Sequence, residues 1–253
     1  MTDVEFHIII PARYGSTRLP GKALRLLGTQ TMIERVYRQA LQTSARSITI
    51  ATDHDLIARL MRDLGANVVM TDAEHTSGTD RVAQAADILG FRSDEIIVNV
   101  QGDEPFIPPE LIHQVAASLS TAQTSMATLC WPIQDHAEFI NPNVVKVVRD
   151  ATNHALYFSR SPIPAHRDLM LAVTDAWRHV GLYAYRAKFL MDSVLLPACS
   201  LESIEMLEQL RILFSGHRIV VEQACVAPQQ DINTVEDLAK VLNQMQGQDC
   251  ADA

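Results

Sequence analysis

Between Pro11 and Lys22 the chain places three cations, Arg13, Arg18 and Lys22, in a loop punctuated by Gly15 and Gly21. The loop follows Phe6 to Ile10, an apolar run rich in β-branched residues of the kind that forms a buried parallel strand. Pro11 is expected to stop that strand, and the glycines to supply backbone angles other residues resist. Clustered positive charge at the carboxyl end of a first strand suits a phosphate-rich ligand. A second stretch carries the opposite charge. Ile96 to Val100 reads as a buried strand that releases Gln101-Gly102-Asp103-Glu104-Pro105, two carboxylates with Gly102 expected to relax the backbone beside them. A third, Ser77-Gly78-Thr79, opens a helical pattern whose first amides are free to face a ligand.

Two familiar phosphate loops do not fit the first stretch. A Walker A loop has four residues between its glycines and a Ser or Thr after the lysine. Here five residues separate Gly15 from Gly21, and Ala23 follows Lys22. A dinucleotide fingerprint needs G-x-G-x-x-G running straight into a helix, whereas these glycines are six apart and Pro20 intervenes. A plain surface loop accounts for the charge but not for its combination with strand, proline and spaced glycines.

The elements that hold these stretches alternate. Residues 31 to 43 read as an amphipathic helix on Ile33, Val36, Tyr37, Ala40 and Leu41. Ser47 to Ala51 is a strand, Thr52-Asp53 a cap for a helix over about 54 to 64, Asn67 to Met70 a strand, and Val82, Ala85, Ala86 and Leu89 the stripe of the next helix. This β-α-β-α-β order predicts an α/β fold with an open, mostly parallel doubly wound sheet, whose ligands sit beyond the carboxyl ends of the strands. From about 124 to 185 strand patterns dominate: Ser125 to Trp131, Val144 to Arg149, Ala155 to Phe158 and Val180 to Tyr185. They are expected to form a β-rich insert within a single domain of residues 1 to 253. Residues 202 to 215 read as one helix with Ile204, Leu207, Leu210 and Phe214 buried, Ile219 to Val226 as a last strand, and Thr234-Val235-Glu236-Asp237 as the capped start of a C-terminal helix.

The totals exclude several classes. With 253 residues, 47% of them hydrophobic and 20% charged, the chain can bury a large core. A net charge of -9 argues against a general nucleic-acid binder. Cys130, Cys199, Cys225 and Cys250 lie far apart without a C-x-x-C pair, which suggests neither zinc nor disulfides. No apolar run approaches the roughly 18 residues of a membrane span, and no leader pattern precedes the first strand, so a cytoplasmic location is expected.

Seven segments in register carry a resemblance. Ile10-Pro11-Ala12-Arg13 through Leu19-Pro20-Gly21-Lys22 is similar to the signature of sugar-activating nucleotidylyltransferases, and the variant resembles the 3-deoxy-manno-octulosonate (Kdo) cytidylyltransferase family. The other segments are Ala51-Thr52-Asp53, Ser77 to Arg81, Val98 to Pro105, Asn141 to Lys146, Leu156 to Arg160 and Glu205 to Arg211. The resemblance implies transfer of CMP from CTP to an acidic eight-carbon sugar, giving CMP-Kdo and pyrophosphate for lipopolysaccharide, by a magnesium-dependent homodimer with the middle strands in contact. It implies that Arg13 and Lys22 hold the triphosphate, Arg18 being a weaker third. Pro11, Ala12, Ser77, Arg81 and Gln101 would complete the nucleotide site, and Arg160, His179, Glu205, Glu208 and Gln209 the sugar site. Asp103 would ligate the metal, and the second aspartate of the family is replaced by Asn233, with Asp231 two residues earlier. His179 is one candidate base. Alternatives are a cytidylyltransferase for an 8-amino or sialic acid sugar, a nucleotide-sugar binding protein without activity, and a dinucleotide dehydrogenase.

Overall fold

The computed structural model describes residues 4–15, 19–75, 77–168, 173–229, 232, 234 and 237–243. In chain order the elements are β1 (Phe6–Ala12), a 3-10 turn (Lys22–Leu24), the short strands β2 (Leu26–Leu27) and β3 (Gln30–Thr31), α1 (Met32–Ala40), β4 (Ser47–Thr52), α2 (Asp55–Asp63), β5 (Asn67–Met70), α3 (Gly78–Leu89) and β6 (Ile96–Asn99). Then follow α4 (Pro109–Thr121), β7 (Met126–Pro132), α5 (His136–Ile140), β8 (Lys146–Arg149), β9 (Ala155–Ser159), β10 (Trp177–Arg186), α6 (Ala187–Ser193), α7 (Ser200–Glu205), α8 (Gln209–Phe214) and β11 (Val220–Gln223).

One mixed sheet runs β11-β7-β10-β6-β1-β4-β5, with the β8–β9 hairpin joined to β10. Its half from β6 to β5 is parallel, as the βαβ alternation requires; β10 runs antiparallel to both β6 and β7. Alternate residues of β1 feed opposite cores. Phe6, Ile8 and Ile10 pack with α1, α2 and α4, while Ile9 packs with Ile97, α3, α6 and α8. Each such fully buried side chain contributes about 1.5–3 kcal/mol. His7, the polar residue of the strand, is only partly buried and bonds the Ser47 hydroxyl at 2.7 Å.

Four expectations are corrected. β1 does not stop at Pro11 but continues to Ala12. Val100 donates its N–H to the Ile9 carbonyl at 3.2 Å, so Pro11, two residues on, faces the same neighbour, and β6 has left the ladder after Asn99. No bond is lost by the missing N–H, and Pro11 stays paired opposite Ala51 of β4. The cap of α2 is His54, whose Nδ1 accepts from Leu56 N–H at 3.2 Å, and not Thr52-Asp53. Leu41 of the first helical stripe lies past the end of α1 and is exposed. The single helix over 202 to 215 is two, broken at Met206, whose φ is +53°. The break shifts the helical phase, so Leu207, Leu210 and Ile212 are buried while Ile204 (77%) and Phe214 (63%) stay exposed.

The last segment returns to the site edge of the sheet. Thr234 and Asp237 exchange side-chain to backbone hydrogen bonds of 3.0 and 3.1 Å, the expected capping box, and residues 237–243 are helical. Ile232 and Val241 pack on Leu19, Leu27 and Met32, closing over the loop that follows β1.

Candidate active site

The carboxyl ends of β1 and β6 approach until only a glycine fits between them. A Cβ on Gly102 would lie 2.6 Å from the Pro11 carbonyl oxygen. Gly102 is therefore required for space, since its φ is not among the positive ones; nor is that of Gly15. Gly21 does need the left-handed region, with φ +65°, to turn the chain into the 3-10 turn that begins at Lys22. That turn brings Lys22 Nζ to 2.7 Å from Asp103 Oδ2, so the cation and the carboxylate singled out in separate stretches hold each other. The Asp103 carbonyl accepts from Ile232 N–H at 3.3 Å. Asp231 and Asn233, the sequence neighbours of Ile232, lie outside the described residues, as does Arg18.

Ser77 caps α3 in a reciprocal box: its hydroxyl accepts from Asp80 N–H at 3.0 Å and the Asp80 carboxylate from Ser77 N–H at 3.3 Å. A Cβ on Gly78 would meet Gln101 Oε1 at 3.3 Å and the Pro11 ring at 3.5 Å, so Pro11, Gly78 and Gln101 converge. Arg13, just past the buried Ala12, is exposed, and no hydrogen bond or ion pair among the described residues engages its guanidinium. Arg81 differs. It is 2% exposed, paired with Asp53 at 2.9 Å, and bonded to the Thr71 hydroxyl and, at 3.3 Å, to the Asp72 carbonyl. It serves neither as a solvated helix face nor as an open donor; it braces the first turn of α3 against the ends of β4 and β5.

Ser77, Gln101, Asp103, Glu208 and Gln209 line one cleft of about 550 Å³ at this edge of the sheet. Its far wall is Tyr183 and Tyr185 of β10 with Met206 and Leu207 at the helix break. Thr79 donates its hydroxyl to Glu208 Oε2 at 2.9 Å. Burial raises the Glu208 carboxyl above its ordinary range, and raises both tyrosine hydroxyls. Gly181 sits in a bulge of β10, where a Cβ would lie 3.7 Å from Glu104 Oε1. The Thr128 hydroxyl answers the carbonyls of Val180 and Leu182 that the bulge releases, at 3.0 and 2.8 Å.

Three residues of the expected sugar site do not line this cleft. Arg160 directs Nε to the Glu205 carbonyl at 2.6 Å, and its terminal nitrogens to the carbonyls of Pro142 at 2.9 Å and Met206 at 3.3 Å. Its fork satisfies backbone at the helix break. Glu205 binds the Ser159 hydroxyl at 2.6 Å and the Arg160 amide at 2.9 Å. Beside them the Lys146 ammonium is caged by the carbonyls of Asn141, Val144 and Arg160 at 2.6–2.9 Å. His179 packs edge-on to Phe158 with Nε2 3.0 Å from Thr128 Oγ1, and desolvation lowers its pKa from 6.5 to about 3. The ring is neutral and a weak proton acceptor at neutral pH, which counts against a base.

The sequence reading passed over Glu104, Tyr183, Tyr185 and the Glu202–Arg211 pair, all on the cleft. Only Glu104 carried a local signal, as the second carboxylate released by β6. The cleft is rich in acid: Asp80, Asp103, Glu104, Glu202 and Glu208 face it, with Arg211 paired to Glu202. Among the described residues no three His, Cys, Asp or Glu side chains cluster as a self-sufficient metal cage. One or two carboxylates supplemented by phosphate oxygens are the ordinary donor set of magnesium, and Asp103 fits it.

Fold and cleft together define an α/β protein with a cleft beyond the carboxyl ends of its strands, where a cation-bearing loop faces a carboxylate loop. A family model described as Cytidylyltransferase matches residues 7–219. A 3-deoxy-manno-octulosonate cytidylyltransferase of Legionella pneumophila (strain Lens) is 58% identical over 92% of this chain and 93% of its own, and one of Thioalkalivibrio sulfidiphilus is 48% identical over 94% and 98%. A solved CMP:2-keto-3-deoxy-manno-octonic acid synthetase in complex with CTP superimposes with a TM-score of 0.88 at 37% identity, covering 96% of this chain and 99% of that one. The chain belongs to the cytidylyltransferase family, and its fold is the nucleotidyltransferase α/β fold.

Proposed function

We propose that the chain transfers CMP from CTP to the anomeric hydroxyl of 3-deoxy-D-manno-octulosonate, releasing pyrophosphate. The observation that carries this reading is the Lys22–Asp103 pair at 2.7 Å, which sets a phosphate-binding cation and a metal-suited carboxylate at one cleft with Ser77, Gln101, Glu208 and Gln209. It agrees with the activity for which relatives at 58% and 48% identity are named.

Phosphoryl transfer asks the protein for positioning and charge neutralisation more than for covalent chemistry. Arg13, unengaged among the described residues, and Lys22 would grip the β- and γ-phosphates and offset the charge of departing pyrophosphate. In the free cleft Lys22 and Asp103 satisfy each other; a triphosphate would compete for Lys22 and leave the carboxylate to face a cation. Asp103 would hold a magnesium ion together with phosphate oxygens, with Asp231 and Asn233 as further donors. Bound there, the ion would neutralise phosphate charge and acidify the attacking hydroxyl. Pro11, Ala12, Ser77 and Gln101 would bound the nucleoside, with Arg81 holding Ser77 in place from below. Glu208 and Gln209 would bind sugar hydroxyls in the cleft, while Arg160, Glu205 and His179 would shape its wall from behind.

We also assign a homodimer joined through the region from 124 to 185. Leu156 of β9 is 62% exposed, and Ile204, Met206 and Phe214 leave apolar surface on α7, the break and α8. Product supplied to lipopolysaccharide synthesis, and a cytoplasmic location, follow from the nature of the substrates. Incubation with CTP, magnesium and a panel of acidic sugars, following pyrophosphate release, tests the activity. Turnover with the unsubstituted sugar is expected; turnover only with an 8-amino or sialic acid sugar would overturn the substrate, and none at all the enzyme. Sedimentation of wild type and Leu156→Lys tests the dimer, which the lysine should dissociate.

A further inference from the structure

The phosphate loop is anchored to a carboxylate outside the cleft. β1 and β4 end at the same level, Ala12 opposite Thr52, so the next residues of the two strands are neighbours. Asp53 Oδ1 accepts from Tyr14 N–H at 3.3 Å, and its Oδ2 accepts from Arg81 at 2.9 Å. The Tyr14 ring lies on the His54 ring, centroids 4.0 Å apart and 12° from parallel, and His54 is itself fixed as the cap of α2. Arg13 thus stands between two pinned residues, Ala12 in the sheet ladder and Tyr14 on the Asp53-His54 turn. The charge of Asp53 matters as much as its reach. Arg13 and Asp53 follow the paired Ala12 and Thr52 at adjacent strand ends, where a carboxylate without a partner would draw the exposed arginine to itself. Arg81, nearly fully buried and immobilised by Thr71 and Asp72, already neutralises Asp53, so the Arg13 guanidinium is left for a ligand.

From this geometry we infer that Asp53 is a positioning residue for triphosphate binding: it fixes the backbone of the phosphate loop at Tyr14 and, through its pairing with Arg81, keeps Arg13 uncommitted. The inference rests on the reading of Arg13 as a phosphate-gripping cation. It separates Asp53 from residues that touch substrate, and it joins two stretches, Ala51-Thr52-Asp53 and Ser77 to Arg81, to the opening loop as one device.

The test is the ratio of CTP to CMP affinity, measured by calorimetry in one magnesium buffer, because base and ribose contacts cancel in the ratio and only the β- and γ-phosphates remain. Two variants are needed, since Asp53→Ala alone leaves Arg81 buried and unpaired. Asp53→Ala/Arg81→Met removes both charges and keeps the volume filled, and thermal melting verifies its fold. Loss of one anchored charge-assisted contact predicts a fall of about tenfold in the ratio for both variants. Arg13→Ala should lower the ratio at least as far, and combined with the double variant should lower it no further than Arg13→Ala alone. A double variant with the wild-type ratio, while Arg13→Ala lowers it, would show that Asp53 only balances a buried charge and would overturn the inference. An unchanged ratio in Arg13→Ala would instead sink the underlying assignment of Arg13.

Discussion

Gly102→Ala isolates the approach of β1 and β6 with a single methyl group. The new Cβ would lie 2.6 Å from the Pro11 carbonyl oxygen, against the 3.4 Å at which ordinary packing begins, so 0.8 Å must be found somewhere. β1 cannot supply it, because Pro11 and Ala12 are still paired with Ala51 and Thr52 of β4. The loop of Gln101 to Glu104 must yield instead, and Gly102 stands between Gln101 and Asp103. A shift approaching 1 Å in groups that position a reacting phosphate is expected to lower kcat/KM by roughly 10- to 100-fold. Overpacking at this point should cost about 1–3 kcal/mol of stability. Pyrophosphate release measures the first quantity and urea denaturation the second. Gly78→Ala is the internal reference. Its Cβ is tight only against the far end of the Gln101 side chain at 3.3 Å, which can rotate away, while the Pro11 ring at 3.5 Å is in ordinary contact, so its effect on kcat/KM should be several-fold smaller. Wild-type kcat/KM in Gly102→Ala, or equal losses in both variants, would refute the reasoning.

Lys22→Ala should lower kcat/KM by about 100- to 1,000-fold. Its partner Asp103 is partly exposed, so melting should show less than about 1 kcal/mol of lost stability. His179 has a depressed folded-state pKa of about 3 against an ordinary 6.5, so below 6.5 the unfolded chain binds a proton that the folded chain refuses. Stability should therefore decline as pH falls from 6.5 toward 3, by at most about 1.4 kcal/mol per unit from this group, and His179→Gln should flatten that slope in denaturation series. The Asn99 amide in β6 is fully buried with neither its oxygen nor its nitrogen hydrogen-bonded among the described residues. Asn99→Leu should leave stability unchanged or raise it by about 1–2 kcal/mol; a clear loss in chemical denaturation would mean that the amide has a partner.

What the sequence disclosed follows from how local each cause is. β1 and β6 were legible because strands covered on both faces carry dense apolar runs, β4 from its β-branched residues, and the Thr234–Asp237 cap because its donors and acceptors are three residues apart. Pro11 within a strand was not legible, since it depends on where β6 departs. Neither was the need for Gly102, which is set by a carbonyl ninety-one positions away in the chain. The break at Met206 carries no glycine to announce it; the carbonyls it frees are answered by Arg160, from another strand. For the same reason Arg160 and Glu205 looked available for a sugar, when Arg160 is engaged by backbone carbonyls and Glu205 by the Ser159 hydroxyl and the Arg160 amide. A single helix over 202 to 215 would set Glu205, Glu208 and Gln209 on one face; the break at Met206 separates the first from the other two.

The place of β10 in the sheet has a temporal consequence. It lies between β6 and β7, two strands synthesised well before it, and pairs with both. Until residue 186 has left the ribosome, β6 and β7 each present an open edge, and neither can close on the other without shutting the slot that β10 must enter. Unpaired edges of this kind are templates for foreign strands until β10 fills the slot. Tyr183 and Tyr185 ride in on that same late strand. A late piece of the sheet, followed by β11, thus also walls the cleft, and a chain interrupted before it would hold the loops after β1 and β6 without the far wall of Tyr183 and Tyr185.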